Sequence, residues 1–197
     1  MMRWTSVVPL KLGDASKSRL GGLLPVAHRL ELVETMARHV LEVLAQEARL
    51  HRIVLLSPTR PEWWNGTFAR DESGSLNEAL SAWRQTEGDG AFAVIHGDLP
   101  YVQVSDVTRL LDAGEAQGAA LASDVSGEGT NALAIAGDRA FRFSFGPSSR
   151  HAHVCEGATI VGGVPGLARD IDTPADLADL AASGVLPTGR ARRNYSI

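Results

Sequence analysis

The sequence predicts one α/β domain in which a mostly parallel sheet is covered by helices on both faces. Short β-type apolar runs alternate with longer segments whose apolar residues recur at helical spacing. Two of those runs, residues 52–56 and 91–96, are continuous apolar stretches of the kind that parallel sheets bury on both faces. The length of 197 residues suits a single well-buried core, and no internal repeat is present.

Residues 4–10 read as the first strand, ended by a polar loop over 11–19. From residue 25 to about 48, Leu30, Val33, Ala37, Val40, Leu41 and Leu44 recur on one helical face. Residues 52–56 form the second strand. An irregular stretch over 57–74 follows, with Pro58, Pro61 and the Trp63-Trp64 pair, and residues 68–70 form a brief strand inside it. Residues 75–86 read as a helix, with Ser75 as N-cap and Glu78 completing a capping box. The strand over 91–96 runs directly into Gly97-Asp98-Leu99-Pro100. A helix over Val104–Gln117 is closed by Gly118. Strands over 119–123 and 132–136 flank a glycine-rich turn, and 158–161 reads as a last core strand. Residues 174–182 form the final helix, with Thr173 as its N-cap. Domain boundaries fall at 1–185 for the folded unit and 186–197 for a basic C-terminal tail carrying Arg190, Arg192 and Arg193.

Composition narrows the function classes. The chain is 44% hydrophobic and 21% charged, which is ordinary for a globular protein and argues against wholesale disorder. A net charge of −4 argues against nucleic acid as the main partner. No stretch approaches the roughly 20 apolar residues of a membrane helix, and the first residues lack a signal-peptide pattern. Cys155 is the sole cysteine, so neither an intrachain disulfide nor a cysteine-rich metal site can form. It reads as a buried apolar residue rather than a nucleophile. Together these features predict a soluble, cytoplasmic protein, with homo-oligomerisation left open.

In open α/β sheets the ligand sits beyond the carboxyl ends of the strands, so the segments just after strands carry the candidates. The loop over 11–19 brings Lys11, Lys17, Ser18 and Arg19 together before a helix. It can wrap a triphosphate with backbone N–H groups and cations, although it has the glycine spacing of neither a Walker A loop nor a dinucleotide fingerprint; the alternative is a plain solvated connection. Asp98 follows an apolar strand directly, at the sheet's carboxyl edge; the alternative is that it caps the next helix. Asp170 and Asp172 are two residues apart, so in an extended segment both carboxylates face one side. Paired carboxylates suit a hard cation such as Mg²⁺. A capping role for Asp172 or Thr173 would account for one acid, not both. Residues 127–131 and 145–149 each combine glycine with hydroxyl side chains, which suits phosphate contacts or a plain turn. His151 and His153 lack a third soft ligand nearby, which argues against a zinc site.

In order along the chain, Val7-Val8-Pro9-Leu10-Lys11, Ala15-Ser16-Lys17-Ser18-Arg19-Leu20, Leu76-Asn77-Glu78-Ala79-Leu80, Gly97-Asp98-Leu99-Pro100, Gly129-Thr130-Asn131-Ala132-Leu133, Phe145-Gly146-Pro147 and the stretch over 167–174 resemble the guanylyltransferases of coenzyme F420 biosynthesis. The resemblance runs from about residue 5 to 180. It implies a Rossmann-like three-layer α/β/α sandwich similar to the nucleotide-diphosphosugar transferases. It also implies transfer of GMP from GTP to the phosphate of a small phospho-acid (phosphoenolpyruvate, 2-phospho-L-lactate or 3-phospho-D-glycerate) with release of pyrophosphate. Carried over by position, Asp98, Asp170 and Asp172 would bind the metal, Mg²⁺, and act with Lys17 in catalysis. Lys11, Lys17 and Arg19 would hold the triphosphate, and Asn77 would lie near the nucleotide. Thr130, Gly146 and Ser149 would cradle the acceptor. Two departures lie on the acceptor side: Ser148-Ser149-Arg150 where family members usually have Gly-Ser-Phe, and Ala152 where an arginine commonly precedes the histidine. A molybdopterin- or sugar-phosphate-type nucleotidyltransferase, or a non-catalytic nucleotide-binding protein, are the alternative readings.

Overall fold

The computed structural model describes residues 2–87, 90–137 and 139–185; the basic tail expected over 186–197 lies outside the described residues. Seven strands, β1 (Trp4–Pro9), β2 (Leu50–Ser57), β3 (Thr67–Arg70), β4 (Ala91–Ile95), β5 (Ala119–Ser123), β6 (Thr130–Ile135) and β7 (Thr159–Ile160), form one sheet. Among the described residues six α-helices and one short 3-10 turn (Ser18–Leu20) accompany them: α1 (Val26–Leu44), α2 (Leu76–Glu87), α3 (Val104–Gln117), α4 (Ser149–Cys155), α5 (Pro165–Ala168) and α6 (Pro174–Ser183). The strand order is β3-β2-β1-β4-β6-β5-β7.

Pairing of β3, β2, β1 and β4 is parallel throughout, so their carboxyl ends share one edge. β6 runs antiparallel to both of its neighbours, β4 and β5. The reason is local: the six residues between β5 and β6 are too few for a parallel crossover, which needs a dozen or more. Asp124 closes that turn by accepting hydrogen bonds from the backbone N–H groups of Glu128 and Gly129 and from the Ser126 hydroxyl. Reversal of β6 places its first residue, Thr130, at the carboxyl edge of the parallel strands, beside Ser123.

Side chains alternate across the sheet. Val8, Leu55, Ala93 and Ile95 pack under α1 and α3 with Met36, Val40 and Leu110, while Val7, Val54, Leu56 and Val94 face α2 with Leu80, Trp83 and Phe143. Each such burial contributes about 1.5–3 kcal/mol, which fixes the register because a one-residue slip would exchange the two faces. Gly118 ends α3 with φ 81°, and Thr173 caps α6 in a reciprocal box with Asp176. α3 itself is capped by Gln103 and Asp106, so Asp98 is not a helix cap.

Two expectations are corrected. The last strand is only Thr159–Ile160, exposed at the sheet edge with β5 as its one neighbour; Val161 adds one more hydrogen bond, to the Leu121 carbonyl, before Gly162 and Gly163 end it. Residues 149–155 form α4, which turns Ser149 and His153 inward. Cys155 lies two residues beyond His153, on the opposite face, and is therefore exposed rather than buried.

Candidate active site

The loop after β1 is shaped before it meets any ligand. Ser16 receives the Gly13 N–H and donates its hydroxyl to the Lys11 carbonyl. Arg29, buried in the first turns of α1, donates to the carbonyls of Asp14 (3.0 Å) and Ser16 (2.7 Å). At the end of this loop Lys17 takes a left-handed conformation, φ 48°, which costs a non-glycine residue roughly 1–3 kcal/mol and is sustained by the contacts it allows. Its ammonium lies 2.5 Å from Asp98 Oδ2 and 2.6 Å from Asp172 Oδ1. Burial alone would lower the Lys17 pKa, but the two carboxylates outweigh it, so the group stays charged.

Asp98 follows the β4 terminus after His96 and Gly97, and Asp170 and Asp172 lie between α5 and α6. They meet because α5 packs directly on the segment that follows Asp98. A Cβ at residue 166 would fall 2.4 Å from the Tyr101 carbonyl oxygen and 2.7 Å from Val102 Cα, so only glycine permits this approach. Asn131, at the head of β6, donates to the Ala168 carbonyl (3.2 Å) and to Asp170 Oδ1 (3.4 Å), steadying the same segment. One oxygen from each of Asp98, Asp170 and Asp172 then lies within 4.8 Å of the others.

The three acids differ electrostatically. Burial would raise the Asp98 pKa, yet Lys17 and, more weakly, His96 hold it below the usual carboxylate range. Burial and then the neighbouring Asp98 and Asp172 charges push the Asp170 carboxyl up to about 6. Asp98 Oδ1 is buried with no partner, as is His96 Nε2. Such orphans are costly unless a ligand completes them.

Asp98 and Asp172 of this cluster line a cavity of about 730 Å³ bounded by the loop over 11–19 and by Leu56, Pro58, Asp71 and Leu76. Lys11, Lys17 and Arg19 all line it. Arg19 is well exposed, its guanidinium 4.0 Å from Asp172. Asn77 is not among the residues that line this cavity. Its side-chain amide is used on Phe145, donating to the carbonyl (3.0 Å) and accepting the N–H (2.7 Å). It thereby fixes the turn that carries Gly146.

Phe145 in turn lies between two histidines, its ring centroid 5.3 Å from that of His96 and 4.8 Å from that of His153. His153 is fully buried. The Ser144 N–H donates to its Nε2 (3.0 Å), so Nδ1 carries the proton and donates to Thr130 Oγ1, also at 3.0 Å. Burial lowers the His153 pKa to about 4, an effect that Glu156 opposes and His96 reinforces. The Thr130 hydroxyl hydrogen is thus left free to serve another acceptor. Ser149, one helical turn before His153 on α4, is buried beside this group. Thr130, Gly146 and Ser149 are therefore linked through His153 and Phe145.

Arg29 was not anticipated as a site residue; Asn131 and Phe145 fell in the candidate segments over 127–131 and 145–149 without a role of their own, and His153 was weighed only as a zinc ligand. Arg29 had a trace in the sequence, a cation four residues before Val33 on the apolar stripe of α1. The pairings of Asn131 and His153 span 37 and 23 residues and leave no local trace.

Such an arrangement, a basic loop beside clustered carboxylates at the carboxyl edge of a sheet, can align and neutralise phosphates without a covalent nucleophile. Comparison with known proteins agrees with that chemistry. The family model "Guanylyl transferase CofC like" matches residues 4–195. A phosphoenolpyruvate guanylyltransferase of Rubrobacter xylanophilus is 37% identical over 195 residues, covering 91% of this chain and 94% of that protein. One of Sphaerobacter thermophilus is 33% identical, covering 95% and 96%. Among solved structures, one from Desulfovibrio desulfuricans assigned to the nucleotide-diphospho-sugar transferases superimposes with a TM-score of 0.73 at 16% identity, covering 100% of this chain and 94% of that one. The 4-diphosphocytidyl-2C-methyl-D-erythritol synthase of Anaerococcus prevotii gives 0.58 at 12%, covering 92% and 98%. Those two likenesses show the fold, a nucleotide-diphosphosugar transferase-like α/β sandwich. The chain belongs to the CofC-like guanylyl transferase family.

Proposed function

We propose that this protein transfers GMP from GTP to the phosphate of a small phospho-acid, phosphoenolpyruvate first among the candidates, as a cytoplasmic step of coenzyme F420 biosynthesis. The observation that carries the reading is the placement of Lys17 and three clustered aspartates between a basic-loop cavity and the Thr130–His153 group. An oxygen of the acceptor's phosphate attacks the α-phosphorus of GTP. The bond from that phosphorus to the bridging oxygen breaks, and pyrophosphate leaves with the electron pair. The attacking oxygen is already anionic, so no general base is required.

In this reading Lys11, Lys17 and Arg19 neutralise the triphosphate, while Thr130, Gly146 and Ser149 orient the acceptor. Asp98, Asp170 and Asp172 would hold a divalent cation, Mg²⁺. All three are hard oxygen donors, and the orphaned Asp98 Oδ1 supports the fit. When bound, the ion would supply charge neutralisation at the reacting phosphates. Incubation with GTP, Mg²⁺ and each of phosphoenolpyruvate, 2-phospho-L-lactate and 3-phospho-D-glycerate tests this by pyrophosphate release. Release is expected to be fastest with phosphoenolpyruvate. Silence with all three acids, alongside turnover of another nucleotide and sugar phosphate, would overturn the reading.

A further inference from the structure

We infer that Asp71 reads the base of the nucleotide, accepting hydrogen bonds from guanine N1–H and its 2-amino group, and is what separates GTP from ATP; this rests on the guanylyl-transfer reading above. Four acidic side chains line the cavity among the described residues: Asp14, Asp71, Asp98 and Asp172. Asp98 and Asp172 are paired to Lys17, and Asp14 belongs to the basic loop. Asp71 stands apart, immediately after β3. With adjacent strands about 4.8 Å apart, the β3 terminus lies roughly 14 Å from that of β4, which carries Asp98. That separation accommodates a mononucleotide extending from the carboxylates to a base held at Asp71.

The environment there suits a purine. Leu10, Leu56, Pro58 and Leu76 supply apolar surface for its faces. Asp71 itself is held firmly. Its N–H donates to the Ser57 carbonyl (3.0 Å), and its Oδ1 accepts the Ser73 N–H (3.0 Å) and lies 2.9 Å from the Ser73 hydroxyl. The Ser73 hydroxyl has one hydrogen and also reaches the Ser75 carbonyl at 2.8 Å. Donated there, it leaves Oδ1 with one lone pair free beside Oδ2, so that the two oxygens of this cavity-lining carboxylate can take one guanine donor each. Guanine is the common base that presents two adjacent donors on one edge. Adenine offers a lone pair at N1 and a C–H at C2 and would leave the carboxylate unpaired, while uracil offers one donor. A pre-positioned acceptor rejects an analogue lacking its donors more strongly than an apolar pocket rejects a shape.

Asp71→Asn keeps an oxygen for the Ser73 N–H while replacing the other carboxylate oxygen with an amide donor, which matches the 2-carbonyl of xanthine. The test measures equilibrium binding of fluorescent GTP and XTP analogues, and pyrophosphate release from GTP, XTP and ATP with phosphoenolpyruvate, in wild type and variant. The variant is expected to lose affinity for GTP by about 100-fold and to bind XTP better than wild type does. Wild type is expected to bind ITP, which lacks the 2-amino group, about tenfold more weakly than GTP; this readout holds even if the variant fails to fold. An unchanged preference between GTP and XTP in a folded variant, or equal binding of ITP and GTP by wild type, overturns the assignment. A swap in binding without turnover on any phospho-acid sustains Asp71 as the base reader and rejects the transfer reading instead. Absence of binding to any of the nucleotides overturns both.

Discussion

Two ionic clusters stand at opposite edges of the sheet and are built in opposite ways. At the amino edge, Arg49 donates through Nε to Glu47, through Nη1 to Asp112 and Glu115, and through Nη2 to the Thr108 carbonyl. Glu47 accepts the Thr108 hydroxyl as well, and Glu115 accepts the Trp4 indole N–H at 3.0 Å. No buried atom of this group lacks a partner among the described residues. At the carboxyl edge Lys17 faces three carboxylates, one of them raised to about 6, with Asp98 Oδ1 and His96 Nε2 unpartnered. A closed network joins β2 to α3 and asks nothing further. An open one keeps unmet electrostatic demand where substrate phosphates would arrive. Ion pairing alone therefore does not mark a site; incomplete pairing does.

Substitutions can separate the two roles. Asp98→Asn is expected to cut turnover by about 10³-fold while lowering the urea midpoint less than the Arg49 change below, since Lys17 keeps Asp172 as a counter-ion and Asp170 loses a like-charged neighbour. Equal loss of stability and turnover would erase the contrast. Arg49→Met should do the reverse, lowering stability by about 3 kcal/mol by leaving Glu47 buried without its counter-ion, with kcat of the folded fraction intact. Denaturation and steady-state rates on the same preparation decide it.

The smallest expected effect is that of Asp170→Asn, and its sign depends on pH. In the folded chain Asp170 holds its proton up to about 6, whereas the unfolded value is 3.8. The native state thus binds more protons between those values, and stability falls as pH rises through that window. Allowing for partial exposure, the cost at pH 8 is about 1–2 kcal/mol, and Asp170→Asn should recover it at pH 8 but hardly at pH 4. Glu47 behaves oppositely. Burial would raise its pKa, but hydrogen bonds from Arg49 and Thr108 hold it below 4.5, so its contribution is present above that value and is lost on acidification. Paired urea titrations at the two pH values report both slopes.

Much of this was legible in the sequence because it is local. Asp98, Asp170, Asp172, Lys17 and the basic loop each follow a strand or precede a helix within a few residues, and strand-end chemistry is written in short motifs. The reversed strand β6 was less legible, since apolar strands look alike in either direction and only the six-residue turn betrays the pairing. α4 was hidden because Ser149 to Cys155 lacks an apolar stripe; its inward residues are a serine and a histidine, held by hydrogen bonds. Asn77 was placed near the nucleotide by resemblance, whereas its amide is used on a backbone 68 residues away. The sequence gives no sign of such long-range side-chain pairings, which depend on the assembled fold.

The Lys17 bridge carries a consequence for folding as well. It joins partners 81 and 155 positions further along the chain. Closing loops of that length is entropically unfavourable, and contacts so distant in sequence are gained late. Refolding chains should therefore regain their helical circular dichroism before they regain nucleotide binding. During synthesis the carboxylate cluster cannot exist until Asp172 has left the ribosome, near the end of the domain. A truncation that spares every strand but stops short of residue 172 should therefore leave the cluster incomplete, and on the proposed function it should lack activity.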